Sequence, residues 1–354
     1  MTIIHIITSL GIGGAEKLLV NVVNEQVKQH SVHIIYLKPI KDLVPVLDAN
    51  IKVKQIPLNF LTVSRLKKYY KTVKPTVIHT HLGHADLLGI WSARNQKANI
   101  FCTMHNIYFK KNFLDAIFFK CYTYLFLKIS KNCKVISISK SVEEHVLKKL
   151  KLPQNRSFLL YNAIPNSIKA YKTTKNKTIN LLFIGRLEKQ KSIPTFLKAI
   201  YQLKQQQNVN ITATIVGDGS LKKELETLAK KLQIKHLVNF VGKQEDTNPF
   251  YNNAGIFILP SIWEGFGIVL LEAFRAKVPI IASNIEGPSE LINHNVNGLL
   301  FEPENHIELA NHILLLINNS SLRERLAQKG FSTFTEKFQI NTYVKKLNEL
   351  YEHF

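Results

Sequence analysis

Long apolar runs are absent from this chain. None of its 354 residues lies in a stretch approaching the roughly 18 apolar positions that a membrane span needs, and the most aromatic run, Cys121 to Leu127, is bracketed by Lys120 and Lys128. The N-terminus lacks a cationic start, and its apolar run Ile3 to Ile7 stops at glycines, so it reads as a first strand and not as a signal peptide. Cysteine is scarce as well. Cys102, Cys121 and Cys133 are odd in number and lack C-x-x-C spacing, which excludes a disulfide framework and a zinc ribbon and suits a reducing cytosol. Aspartate occurs only at positions 42, 48, 86, 115, 218 and 246, with no D-x-D and no carboxylate cluster able to cage magnesium. A chain that handles a diphosphate with so few acids must neutralise it with its own cations.

Those cations are plentiful. Lys plus Arg number 47 against 25 Asp plus Glu, a net charge of +22. Residues 1–170 hold 25 basic and 8 acidic side chains (+17), whereas residues 171–354 hold 22 and 17 (+5). The basic half predicts an anionic partner: nucleic acid, an anionic membrane surface or a phosphorylated substrate.

The length and the 45% apolar content predict two packed domains. Short β-branched runs alternate with longer helical patterns, as in a parallel sheet with crossover helices. Strands are expected at Thr2 to Thr8, Val32 to Tyr36, Ile51 to Ile56, Thr76 to His79, Ile100 to Met104 and Lys134 to Ile138. After a polar break at Asn162 to Thr178 a second series follows, at Ile179 to Ile184, Ile211 to Val216, Leu237 to Val241, Ile256 to Leu259 and Pro279 to Ala282. Near-continuous apolar character predicts strands covered on both faces. The fold class is α/β, two doubly wound domains, closed by an amphipathic helix carrying Phe338, Tyr343, Leu347 and Tyr351.

In open α/β sheets ligands bind beyond the carboxyl ends of the strands. The first such loop, Gly11 to Glu16, approaches G-x-G-x-x-G but places Glu16 where glycine or alanine is needed. The second strand ends in Tyr36-Leu37-Lys38 with no acid for a ribose, so a nicotinamide enzyme is disfavoured. Adjacent Gly13 and Gly14 still let backbone approach a ligand, and the N-terminus of the next helix, with about half a positive charge, suits a phosphate. His79, His81 and His84 have the H-x-H-x-x-H spacing of a metal loop, with the first two on one strand face. The hydrolase form of that pattern has Asp before the last histidine, where this chain has Gly83; hydrogen bonding in a cleft or strand-end packing is the expected role, and no metal is expected.

In the second series, Gly185 allows close approach, Arg186 can fork onto phosphate oxygens, and Lys191 adds a point charge before the helix that starts near Ser192. Together they predict diphosphate binding. Pro260 to Glu272, PSIWEGFGIVLLE, places two glutamates eight residues apart. Glu264 in the loop can reach a sugar, and Glu272, expected about two turns into a helix, can reach a ribose diol. Gly267, Ile268 and Val269 offer helix N-terminal amides between them.

With these motifs the sequence resembles family 4 of the retaining, GT-B glycosyltransferases. The resemblance covers nearly the whole chain: GGAE at 13–16, TMH before Asn106, ISIS at 136–139, NAIP at 162–165, GRLEKQK at 185–191, VGDG at 216–219, E-x7-E at 264–272, then GPSELI and NGLLF. It implies two Rossmann-like domains facing across a cleft: 1–165 for the acceptor, 166–335 for the nucleotide sugar, and a helix at 336–354 packing back toward the first. It implies that Gly14 and its neighbours meet the diphosphate, that Arg186 and Lys191 stabilise the departing diphosphate, and that Glu272 holds the ribose. Glu264 and the amides of Phe266 to Val269 would hold the donor sugar, His105 would be the active-site histidine near the reacting centre, and Gly242 and Lys243 would lie near the base. Ser192 and Lys277 depart from the family, which usually has glycine at both.

The implied activity is metal-independent, retaining transfer of a sugar from a nucleotide sugar, with UDP preferred on family frequency, to a lipid-linked glycan of a bacterial surface polysaccharide such as capsule or lipopolysaccharide. No separate cofactor is expected. A nucleotide-sugar epimerase or hydrolase of the same fold, or a non-catalytic nucleotide-sugar-binding scaffold, remain alternatives. Two or three cations serve a diphosphate, so catalysis does not account for +22. Ten lysines between Phe109 and Lys151, interleaved with aromatics, suit a helix lying on an anionic inner-leaflet surface, against the alternative of core aromatics with a solvated lysine face. Nucleic acid is not expected, because no binding module is present.

Overall fold

The computed structural model describes residues 1–105, 113–166, 178–206 and 209–354, and the side chains of 113–119 lie outside that description. The chain divides into two compact units, one of residues 1–165 with 340–354 and one of residues 166–339.

The first unit holds strands β1 (Thr2–Ile7), β2 (Ser31–Tyr36), β3 (Lys52–Gln55), β4 (Val77–His81), β5 (Asn99–Met104), β6 (Cys133–Ser137) and β7 (Ser157–Leu159). They pair in parallel in the order β3-β2-β1-β4-β5-β6-β7. The second unit holds β8 (Ile179–Ile184), β9 (Ile211–Val216), β10 (Val238–Gly242), β11 (Ile256–Leu259), β12 (Ile280–Ser283) and β13 (Leu299–Phe301), also parallel, in the order β10-β9-β8-β11-β12-β13. Coverage on both faces explains the isoleucine runs: all of β4 and all but the first residue of β1 and β2 are buried.

One expectation needs correction, and two strands escape the sequence. The run at Ile51 to Ile56 is not doubly covered: Lys52, Val53, Lys54 and Gln55 are all exposed, because β3 is an edge strand with one neighbour. Strands β7 and β13, three residues each, carry too short an apolar run to stand out from a loop.

The last helix, Ile340–His353, turns Ile340, Tyr343, Val344, Leu347 and Tyr351 onto one side, the 3.6-residue spacing of a core-facing stripe. It buries that stripe with Leu18 and Val22 of helix Gly14–Gln26 and with Ile3, Val77, Phe101 and Ile136 of the sheet. Each such side chain contributes about 1.5–3 kcal/mol, enough to hold the terminal helix on the first unit. Among the described residues no helix is long and apolar enough to cross a membrane.

Candidate functional site

In the second sheet the strand order reverses between β8 and β11, which lie side by side, and such a switch point opens a crevice at the carboxyl ends of the strands. Both predicted motifs start there. After β8 the chain runs through Gly185 and Arg186 into a tight turn at Lys189–Lys191, and Ser192, at φ 43°, redirects it into helix Ile193–Lys204. After β11 it runs through Trp263 and Glu264 to Gly267, whose φ of 87° caps helix Ile268–Arg275.

One backbone and one side-chain hydrogen bond tie the two loops together. The Ile262 N–H donates to Gln190 O at 2.9 Å, and Gln190 Nε2 donates to Trp263 O at 3.2 Å. This stitching brings Lys191 Nζ onto the Glu264 carboxylate, with both side chains largely buried. Two further loops hold the pair from behind. A Cβ on Gly287 would lie 2.5 Å from Glu264 O, and one on Gly217 would lie 1.9 Å from Gly185 O, so only glycine fits at either position. Sequence reading named the VGDG and GPSELI segments as motifs without seeing that they buttress the loops at 185 and 264.

Arg186 is exposed and, among the described residues, forms no ion pair. Gly242, at φ 80°, has open space where a Cβ would stand, and Lys243 beside it is exposed. Phe266 is a core residue at 2% exposure, its ring edge-on to Phe338. Glu272 requires a correction: it is the fifth residue of its helix, little more than one turn in. Its carboxylate accepts from Tyr251 Oη at 2.9 Å, and Tyr251 also reaches Val269 O at 3.1 Å. Tyr251 was missed in the sequence. Its signal is weak, one of two adjacent aromatics in the short segment NPFYN between β10 and β11.

In the first unit, Gly13 caps helix Gly14–Gln26, and the Glu16 carboxylate folds over it, occupying the place of a Gly13 Cβ. His105 follows β5 and is 8% exposed, whereas Asn106 lies outside the described residues. The triplet His79, His81, His84 does not assemble: His84 is exposed in the first turn of helix Gly83–Ala93. His5 of β1, opposite His79 in the parallel register, takes its place. Ring nitrogens of His5, His79 and His81 lie within 4.8 Å of one another. Each of those three rings is already committed on both nitrogens. His5 meets His81 at 3.0 Å and Gln26 at 2.9 Å; His79 meets Tyr351 at 2.5 Å and Thr103 at 2.7 Å; His81 Nδ1 meets His105 Nε2 at 3.3 Å. The cluster is a hydrogen-bond network. Burial holds His5 and His105 down to about 4, and burial with the neighbouring imidazoles holds His79 and His81 well below the usual histidine range.

Two all-parallel doubly wound domains with these loops at the switch point define the GT-B fold. HepE of Anabaena, solved in complex with UDP, superposes over 100% of both chains with a TM-score of 0.87 at 18% identity. The chain belongs to glycosyltransferase family 4: the model described as "Glycosyltransferase Family 4" matches residues 12–167, and "Glycosyl transferases group 1" matches 166–333. A Campylobacter jejuni relative is 30% identical over 93% of this chain and 92% of its own length. That relative is named an N-acetylgalactosaminyltransferase acting on a diphospho-undecaprenol-linked glycan. An uncharacterized glycosyltransferase of Methanocaldococcus jannaschii is 28% identical over 64% of this chain, a match that spans 62% of that relative.

Proposed function

We propose that this glycosyltransferase moves a sugar from a nucleotide donor, UDP-linked, to a lipid-linked glycan of a bacterial surface polysaccharide, with retention of configuration and without a metal ion. The observation that carries this reading is the Lys191–Glu264 pair, held where the loops after β8 and β11 are stitched together at the switch point. The acceptor hydroxyl attacks the anomeric carbon on the face from which the diphosphate departs. A carbon–oxygen bond to the acceptor forms, the bond to the diphosphate breaks with its electron pair, and the hydroxyl proton passes to a diphosphate oxygen. Arg186, Lys191 and the amides of Gly267 to Val269 stabilise the developing charge, a preorganised electrostatic role. Glu264 and the Phe266 amide take the sugar, Glu272 takes the ribose diol under the aim of Tyr251, and Gly242 and Lys243 flank the base; in the first unit, by the family resemblance, His105 takes a sugar hydroxyl and Gly13 and Gly14 a phosphate.

The acceptor half docks on an anionic inner-leaflet surface. Helix Phe113–Ile129 supports this by splitting its apolar side chains: Tyr122 and Phe126 are core, while Tyr124 and Leu125 are 65% and 46% exposed beside exposed Lys120 and Lys128. Phe109, Lys110 and Lys111 of the basic segment, and the side chains of Phe113, Phe118 and Phe119, lie outside the described residues.

The test is a thermal-shift series with UDP, GDP and ADP sugars, since a ligand bound to the folded state raises its stability by mass action. Transfer to a short-chain polyprenyl-diphosphate glycan follows, with and without chelator and anionic vesicles. A UDP-selective shift, an axial or equatorial product bond matching the donor, and chelator-resistant turnover are expected. Inverted product or strict metal dependence overturns the reading.

A further inference from the structure

The first unit contains a linear run of polar groups that ends on His105. Asn348 Oδ1 accepts from Gln26 Nε2 at 3.0 Å, and Gln26 Oε1 faces His5 Nε2 at 2.9 Å. His5 Nδ1 faces His81 Nε2 at 3.0 Å, and His81 Nδ1 faces His105 Nε2 at 3.3 Å. His5, His81 and His105 are all buried, and so is Gln26, at 1% exposure. Burial keeps the three imidazoles neutral near pH 7, so each carries one N–H and one bare nitrogen.

That constraint gives the run a direction. Gln26 turns its amide nitrogen to Asn348 and its oxygen to His5, and that oxygen can only accept, so it receives a hydrogen from His5 Nε2. His5 Nδ1 is then bare and receives from His81 Nε2. His81 Nδ1 is bare in turn and receives from His105 Nε2, which leaves His105 Nδ1 as a lone-pair acceptor. A Gln26 amide turned the other way would reverse every one of these hydrogens together.

We propose that Gln26, acting through His5 and His81, is a positioning residue that sets the tautomer of His105, so that His105 presents Nδ1 as an acceptor for a sugar hydroxyl. His105 Nε2 is committed to His81 and, among the described residues, Nδ1 meets no partner, which makes Nδ1 the nitrogen for substrate in this proposal. The consequence is a requirement on the substrate: at this point it must offer an O–H and not merely a lone pair. The role of His105 at the sugar rests on the reading above; the tautomer itself does not.

The experiment is long-range 1H–15N correlation on histidine-labelled full-length protein at pH 7.5, with His105 assigned by its loss in His105→Ala. In the native protein His105 shows Nε2–H and a bare Nδ1. Asn348→Asp, which can only accept at this position, keeps that pattern. Gln26→Met removes the anchor, and His105 then populates both tautomers, with kcat falling by the fraction lost from the competent form. A native His105 carrying Nδ1–H, or an unmixed, unchanged tautomer in Gln26→Met, overturns the proposal. If His105→Ala transfers sugar at the native rate while the tautomers behave as stated, the sugar-contact reading fails and the relay stands.

Discussion

Lys191 and Glu264, 73 residues apart in sequence, form a largely buried ion pair, with side chains 11% and 15% exposed. Both were expected to touch the donor, one through its diphosphate and one through its sugar. On the function proposed above, a bound donor would exchange this pair for two others: Lys191 with the diphosphate, and Glu264 with sugar hydroxyls.

Replacing Lys191 with alanine removes the cation aimed at the leaving group and should lower kcat about a hundredfold or more, while circular dichroism shows a folded protein. Glu264→Gln keeps a polar group at the loop but loses the charge that holds Lys191 and should raise KM for the donor. Near-native turnover in Lys191→Ala would remove the lysine from the reaction.

Stability should fall in mild acid. For His5 and His105 the folded values are about 4, against 6.5 unfolded, and His79 and His81 are lowered too. Between about 6.5 and 4 the unfolded chain binds protons that the folded one refuses, so stability is complete above that window and declines through it as pH falls. Asp86 opposes this, since burial raises it from 3.8 to about 6 and the folded state takes up its proton first. Four groups outweigh one. Thermal melts at pH 7 and pH 5 check it, and equal melting temperatures would show that the histidines charge without unfolding.

Tyr351→Phe preserves the ring but deletes the hydroxyl 2.5 Å from His79 Nδ1. A buried nitrogen left without its partner costs about 1–3 kcal/mol, which a denaturant titration would resolve as a lower midpoint at unchanged slope. No change would mean that His79 finds another partner.

Ser192→Gly should stabilise. Ser192 sits at φ 43°, a left-handed backbone that costs a non-glycine residue about 1–2 kcal/mol, offset by glycine's greater freedom when unfolded, about 0.5–1 kcal/mol. Lys277, at φ 55°, should gain less, because Lys277→Gly also loses the ammonium 4.6 Å from the Phe331 ring. A lower melting temperature for Ser192→Gly would point instead to its Oγ contact with Thr195 at 2.9 Å. These two positions depart from the family's usual glycine, and their backbone angles supply the reason glycine is usual there.

The sequence by itself determined the α/β architecture, because strands buried on both faces must be written as unbroken apolar runs such as Ile3 to Ile7 and Ile256 to Leu259. It also determined which loops carry charge, because glycines and cations after a strand leave a local signature. Partnership lay beyond it. His5, a single polar residue in an isoleucine strand, reads as an anomaly until the β1–β4 register sets it opposite His79. Gln26 and Tyr351 read as ordinary helix residues until the last helix packs on the first. Lys191 and Glu264 looked like two independent ligands until β8 and β11 paired and stitched their loops together. Local spacing encodes the face a side chain shares, but only the tertiary pairing of distant strands and helices decides which buried polar groups satisfy one another.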